Sequence, residues 1–163
     1  MSPAGAKFRR VKYRLIAVGK LREAYVAAAA DDFRTRLRRY EHYDEIEVAA
    51  SRGTDPQRAI REEEERLLAA LEPSDALWLL DREGTQFSSP ELAARLGALA
   101  DSGVGRVVFA IGGAYGTGDA LRARAALRWS LSRLTLLHEW SRALVLEQLY
   151  RAAKIARNEP YHH

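Results

Sequence analysis

The chain has 163 residues, of which 47% are hydrophobic and 29% are charged, which is typical of a soluble globular domain with its own core. The absence of cysteine excludes disulfide scaffolds, thiolate zinc sites and cysteine nucleophiles. No apolar run approaches the ~20 residues of a membrane span, and the apolar stretch at residues 15–18 is too short for a signal peptide. These properties predict a cytoplasmic protein.

The net charge of +4 is distributed unevenly along the chain. Residues 1–43 carry a net charge of +7, residues 44–120 carry −8 and residues 121–163 carry +5. If the two basic ends meet in the fold, they form a positive face of the kind that attracts a phosphate backbone. The alternative is that Arg-rich helices simply have solvated faces, and charge alone leaves both interpretations open.

The first half of the chain alternates between predicted strands and helices. Residues 13–19 are typical of a short strand closed by glycine, and apolar side chains at three- and four-residue spacing predict a helix over residues 22–40. Residues 43–49 are predicted to form a strand. Pro56 starts a helix to about residue 71, and we expect the acidic run at residues 62–65 to face solvent.

Two segments, residues 76–81, which are apolar up to a closing acid, and residues 106–111, which are apolar after an arginine, are typical of strands that are buried on both faces. Ser88 and Pro90 mark the start of a helix between them, with serine as the cap and proline in the first turn. Strands and helices therefore alternate along the chain. This pattern predicts one α/β domain with a mostly parallel sheet.

The C-terminal part of the chain is predicted to be largely helical. Asp119 is expected to cap a helix that reaches about residue 127, residues 131–137 form a loop or a short strand, and the last helix spans residues 139–157. This last helix is apolar around more than one face, so we expect it to pack against the sheet and against a partner. A second copy of the chain is the simplest partner.

The candidate site lies beyond the carboxyl ends of the two apolar strands, where open parallel sheets bind ligands. The second strand runs into the glycine loop (residues 112–118), which has four glycines and precedes a helix N-terminus that favours an anion. The alternative is a turn that merely needs glycine, because the loop matches no standard nucleotide motif. His138 either lines this loop or simply precedes the last helix. Histidine spacing predicts no metal site.

Six segments of the sequence carry a resemblance to a known family. They are LIAVGK at 15–20, LLDREG at 79–84, IGGAYG at 111–116, WSLSRLTLLH at 129–138, RALVLEQLYRAAKI at 142–155 and PYH at 160–162. With these segments the chain resembles the bacterial 23S rRNA (pseudouridine-N3)-methyltransferase H family, the small single-domain branch of the SPOUT superfamily. It departs from the family at Leu137, where many members have proline.

The resemblance implies a SPOUT domain over residues 12–163, preceded by an N-terminal extension at residues 1–11. It also implies a homodimer and a C-terminal trefoil knot, which the usual connection rules would have excluded. S-adenosylmethionine would bind between three loops of the knot. The cofactor-binding residues carried over from the family are Leu80, Gly112, Leu131, Ser132, Arg133, Leu134, Thr135 and Leu136.

The implied reaction is methylation of N3 of a pseudouridine in 23S rRNA. Methyl transfer from a sulfonium needs mainly positioning, whereas removal of the weakly acidic N3 proton is helped by a base or by a group that stabilises the anion. The candidates are Arg142, Tyr161 and His162. The alternatives are an ion pair on the last helix for Arg142 and a frayed terminus for the C-terminal PYHH tail.

Two other functions stay open at this point. The first is a SPOUT methyltransferase that acts on tRNA, although the PYH end and the lack of an appended RNA-binding domain argue against it. The second is a non-catalytic α/β module that binds a nucleotide or RNA and transfers no methyl group.

Overall fold

A five-stranded sheet forms the centre of the fold. The computed structural model describes residues 11–161, and within them the strands are β1 (Lys12–Val18), β2 (His42–Val48), β3 (Ala76–Thr85), β4 (Arg106–Ile111) and β5 (Leu127–Trp129). Their order in the sheet is β2-β1-β4-β3-β5, and every neighbouring pair is parallel. The predicted α/β class with a mostly parallel sheet is confirmed.

The helices of the described residues cover both faces of the sheet. They are α1 (Ala24–Leu37), α2 (Pro56–Ala69), α3 (Ser89–Asp101), α4 (Asp119–Arg124) and α5 (Trp140–Ala156). One core cluster joins the sheet to α1, α3 and α5, and a second joins the other face to α2 and α4. Within residues 11–161, none of the helices has the length and apolar character that a membrane crossing needs.

The continuous apolar runs follow directly from this three-layer arrangement. In β4, Val107 and Phe109 belong to the first cluster, whereas Val108 and Ala110 belong to the second. Successive side chains of a strand point to opposite faces, so a strand with helices on both sides needs an apolar residue at every position.

Two of the predicted helix starts agree with the structure in detail. Asp55 accepts a hydrogen bond from the backbone N–H of Gln57 at the start of α2, where Pro56 is the first residue. Ser88 and Glu91 form a reciprocal capping box at the start of α3. Such caps satisfy backbone N–H groups that have no partner inside the helix.

The prediction for the segment after the glycine loop is wrong in two respects. Asp119 is the first residue of α4 and not its cap, and the position before the helix is held by Gly118. The helix ends at Arg124, and Leu127 begins β5, a strand that the sequence analysis missed. This strand has three residues and pairs with β3, so its main determinant is a partner distant in sequence.

Other boundaries differ less. β3 continues to Thr85 through an irregular register against Trp129, and residues 131–137 form a loop. Of the predicted N-terminal extension, residues 1–10 lie outside the described residues, and Val11 is buried immediately before β1. The trefoil knot stays a prediction from the resemblance.

Candidate functional site

A cavity of about 420 Å³ lies at the carboxyl ends of β3 and β4. Three segments line it: the end of β3, the glycine loop and the segment between β5 and α5. Seven of the eight residues proposed to bind the cofactor are in its wall, namely Leu80, Gly112, Leu131, Ser132, Leu134, Thr135 and Leu136. Arg133 is exposed and is not part of the lining.

Tight packing at Gly112 and the backbone conformation of Gly116 explain two of the glycines in the loop. A Cβ at Gly112 would overlap the methyl group of Thr117 and would lie 3.1 Å from the carbonyl oxygen of Gly116. Gly116 has φ +90°, a conformation that glycine adopts without strain. Its N–H donates to the carbonyl of Gly113 at 3.0 Å, which closes the turn. The loop therefore needs glycine for its shape and also forms a wall of the cavity.

The segment between β5 and α5 is irregular but is held by side-chain hydrogen bonds. Ser132 Oγ accepts the backbone N–H of Leu134 at 3.0 Å, and Ser130 Oγ donates to the carbonyl of Ser132 at 3.1 Å. Arg82 donates to Thr135 Oγ1 at 2.8 Å and so ties this segment to the end of β3. Serine and threonine favour such local turns.

His138 also lines the cavity, which agrees with one of its two sequence interpretations. Burial lowers its pKa, and the positive charge of Arg142 lowers it further, while Glu139 and Glu63 act in the opposite direction. The imidazole is therefore neutral at neutral pH and able to accept a proton.

Arg142 is buried and fully engaged with other parts of the chain. Its guanidinium donates to Glu47 at 2.8 Å, to the carbonyl of Val18 at 3.0 Å and to the carbonyl of Gly19. It is not among the residues that line the cavity. This geometry favours the ion-pair alternative, in which Arg142 fastens α5 to the end of β1.

Tyr161 is docked on α5. Its hydroxyl donates to the carboxylate of Glu147, its ring packs against Tyr150, and the guanidinium of Arg151 lies 3.4 Å from the ring centre. Partial burial and the bond to Glu147 raise its pKa to about 12. Tyr161 does not line the cavity. His162 lies outside the described residues.

The expectation that the acidic run at residues 62–65 faces solvent is wrong for Glu63. Glu63 is 5% exposed, and its Oε1 accepts the backbone N–H of Ser51 at 3.0 Å. A signal for this was present in the sequence, because Glu63 stands four residues after Ala59 and four before Leu67, both of which are buried.

The next residue of the acidic run, Glu64, contacts the start of α4, which was not predicted from the sequence. Its Oε2 accepts the backbone N–H of Leu121 at 3.0 Å, at the start of α4. The carboxylate thus replaces the cap that Gly118 cannot provide. A six-residue helix whose start is already held by Glu64 offers little to an anionic ligand, so the anion-binding prediction for this helix is not supported.

The described residues contain no group of three or more His, Asp or Glu side chains arranged to hold a metal ion. The polar residues that line the cavity include Ser and Thr hydroxyls, the imidazole of His138, the charged side chains at the end of β3 and Arg122 of α4. Such a site is suited to an organic ligand with both apolar and polar parts.

Comparisons with known proteins agree with this architecture. A family model described as "Predicted SPOUT methyltransferase" matches residues 11–162. Proteins named "Ribosomal RNA large subunit methyltransferase H" from Pelobacter propionicus and Geobacter metallireducens are 45% and 44% identical, over 94% of this chain in both cases and 100% and 99% of theirs.

A solved structure, the SpoU methyltransferase AviRb from Streptomyces viridochromogenes in complex with AdoMet, shows a weaker likeness. It is 14% identical with a TM-score of 0.43, and the alignment covers 97% of this chain and 64% of that one. The family model and the sequence relatives are the evidence for descent. On that evidence, the chain belongs to the SPOUT methyltransferase family, in the group of the ribosomal RNA large subunit methyltransferase H proteins.

Proposed function

We propose that this protein uses S-adenosylmethionine to methylate N3 of a pseudouridine in 23S rRNA of the large ribosomal subunit. The observation that carries the proposal is the convergence of three separate segments on one cavity, in a chain whose full-length relatives are named as ribosomal RNA methyltransferases. A ribosomal substrate also fits the cytoplasmic location expected from the sequence.

The cavity suits the proposed cofactor in size and in chemistry. Its volume of about 420 Å³ lies in the ordinary range for small-molecule sites. Leu80, Leu131 and Leu136 provide apolar surface for an adenine ring, and the glycine loop brings backbone amides close to the cavity. When bound, S-adenosylmethionine would supply an electrophilic methyl group, and the residues of the wall would position it.

The three candidate side chains His138, Arg142 and Tyr161 are proposed to have different roles. His138 is the neutral imidazole in the cavity wall and is proposed to take up the N3 proton. Arg142 is proposed to act structurally, through Glu47 and the end of β1. Tyr161 fixes the C-terminal tail on α5, and the tail, including His162, is proposed to contact the RNA substrate.

We also propose that the protein acts as a homodimer. Among the described residues, five large apolar side chains are exposed, namely Tyr25, Tyr115, Leu134, Leu137 and Trp140, and two of them, Tyr115 and Leu134, line the cavity. The rings of Tyr25 and Trp140 touch edge to face, with their centres 5.9 Å apart. Exposed apolar patches of this kind mark interaction sites, and a second copy of the chain is the partner that the family resemblance implies.

The proposed reaction is tested with ribosomes from a strain that lacks this modification. The protein is incubated with labelled S-adenosylmethionine and either these ribosomes or bulk tRNA, and the RNA digests are examined by mass spectrometry. We expect one methyl group on a pseudouridine of 23S rRNA. Label in tRNA would support the tRNA alternative, and binding without methyl transfer would support a non-catalytic module.

The tail is tested by removing residues 161–163. Because Tyr161 does not line the cavity, we expect the truncated protein to lose turnover on ribosomes while it keeps its affinity for S-adenosylhomocysteine, measured by calorimetry. An unchanged turnover would remove the tail from the mechanism.

A further inference from the structure

A buried carboxylate lies behind the glycine loop, outside the cavity lining. The Oε2 atom of Glu63 is shielded from solvent and has no hydrogen-bond partner among residues 11–161, whereas Oε1 is satisfied by Ser51. A buried oxygen without a partner costs free energy. The hydrogen bond to Ser51 explains only Oε1 of Glu63, so the burial of Oε2 needs another explanation.

The neighbour of this unpartnered oxygen is Gly113. A Cβ at Gly113 would lie 2.8 Å from Cδ of Glu63, 3.0 Å from Oε1 and closer still to Oε2, and these are its three nearest atoms. Gly113 is not among the glycines with positive φ. The contact with the carboxylate of Glu63, and not the backbone conformation, therefore leaves no room for a side chain at this position as the loop is folded.

Gly113 connects Glu63 to the site, because it contacts Glu63 and also belongs to the cavity wall. Gly113 lines the cavity, and its carbonyl accepts the N–H of Gly116 that closes the turn. At the other end of the loop, a Cβ at Gly118 would overlap Oε2 of Glu64. Two consecutive carboxylates of α2 thus support the loop from behind, at its beginning and at its end.

We propose that Glu63 is a positioning residue, whose carboxylate fits against Gly113 and fixes the glycine loop in the conformation that binds the cofactor. The inference rests on the proposed function, because it takes S-adenosylmethionine as the ligand of the loop. It assigns the buried acid to cofactor affinity and gives it no contact with the reacting atoms.

The first test compares Glu63→Ala with Glu63→Gln, and uses Glu65→Ala on the exposed side of α2 as the matched control. Glu63→Ala leaves a void behind Gly113, and we expect it to raise Kd for S-adenosylhomocysteine by about tenfold, a size typical of residues in contact. Affinity is the readout because the charge of Glu63 also acts on the pKa of His138 and so on kcat. Glu63→Gln keeps the shape and should stay within about threefold of wild type, as should Glu65→Ala.

The second test is a double-mutant cycle with Gly113→Ala. The added methyl group collides with Glu63, so this variant should lose about tenfold in affinity, and Gly113→Ala/Glu63→Ala should bind at least as tightly as either single variant because the methyl group enters the void. Each variant's unfolding temperature without ligand is measured alongside.

The outcomes separate the two proposals. If wild type binds S-adenosylhomocysteine but the losses in the double variant multiply, or Glu63→Ala binds normally, the role of Glu63 is overturned and the proposed function stands. If Gly113→Ala does not fold, the comparison of Glu63→Ala with Glu63→Gln decides by itself. If wild type binds no cofactor, the proposed function falls and this inference falls with it.

Discussion

Gly112 shows how one missing side chain shapes the site. A Cβ there would overlap the methyl group of Thr117, and Gly112 itself lines the cavity. We therefore expect Gly112→Val to abolish binding of S-adenosylmethionine in calorimetry. Gly97→Ala is the matched control, because a Cβ at Gly97 meets nothing within 4 Å. Retained affinity in Gly112→Val would remove the glycine loop from the binding site.

The lowered pKa of His138 predicts how the free energy of unfolding depends on pH. Because burial and Arg142 lower its pKa, the folded protein resists protonation of His138 below about pH 6.5, where the unfolded chain already takes up the proton. The free energy of unfolding should fall as pH decreases through this window and should be unaffected by His138 above it. His138→Gln should flatten this part of the profile in urea unfolding, and an imidazole titrating at or above 6.5 by NMR would contradict the assignment.

At the scale of elements, Arg142 fastens α5 to the carboxyl end of β1. Arg142→Ala removes three donated hydrogen bonds and should lower the free energy of unfolding by about 2–3 kcal/mol, measured with urea. Arg39→Ala, on the exposed surface, should change it by less than about 0.5 kcal/mol. If Arg142→Ala changes the free energy of unfolding as little as Arg39→Ala does but stops methylation, the catalytic interpretation of Arg142 is the correct one.

Elements were predictable from sequence where the signal is local. β4 was predicted with its exact boundaries because it is apolar at every position after Arg106, as is typical of a strand between two helical layers. β5 was missed because its three residues depend on pairing with β3. Glu63 was misplaced because a run of four acids suggests an exposed face, although its spacing to Ala59 and Leu67 indicates burial.

The candidate site was also predictable from the sequence only in part. The ends of β3 and β4 were predictable from the general rule for open parallel sheets, and both line the cavity. The segment between β5 and α5 is neither a helix nor a strand, so its sequence has no periodic pattern. Turn hydrogen bonds of Ser130 and Ser132 hold it in place instead. Only the family resemblance indicated that this segment belongs to the site.

For the whole molecule, the uneven charge is partly used inside the fold. Several ion pairs join the basic ends of the chain to its acidic middle: Arg14–Asp44, Arg34–Glu45, Arg128–Asp81 and Arg142–Glu47. The side chains left to attract RNA are the exposed ones, such as Lys20, Arg22 and Arg133. The sequence asymmetry therefore reports internal pairing as well as a basic surface, which net charge alone does not distinguish.

The proposed homodimer is expected to depend on the exposed contact between Tyr25 and Trp140. Tyr25 is 57% exposed and Trp140 is 37% exposed, although both are large and touch each other. Burial of apolar surface stabilises an interface by about 25 cal/mol per Å², so a charge in this patch should be strongly unfavourable for association. We expect wild type to sediment as a dimer, Trp140→Glu and Tyr25→Glu as monomers, and the exposed control Gln57→Glu as a dimer. A monomeric wild type, or dimers in all variants, would place the interface elsewhere or exclude it.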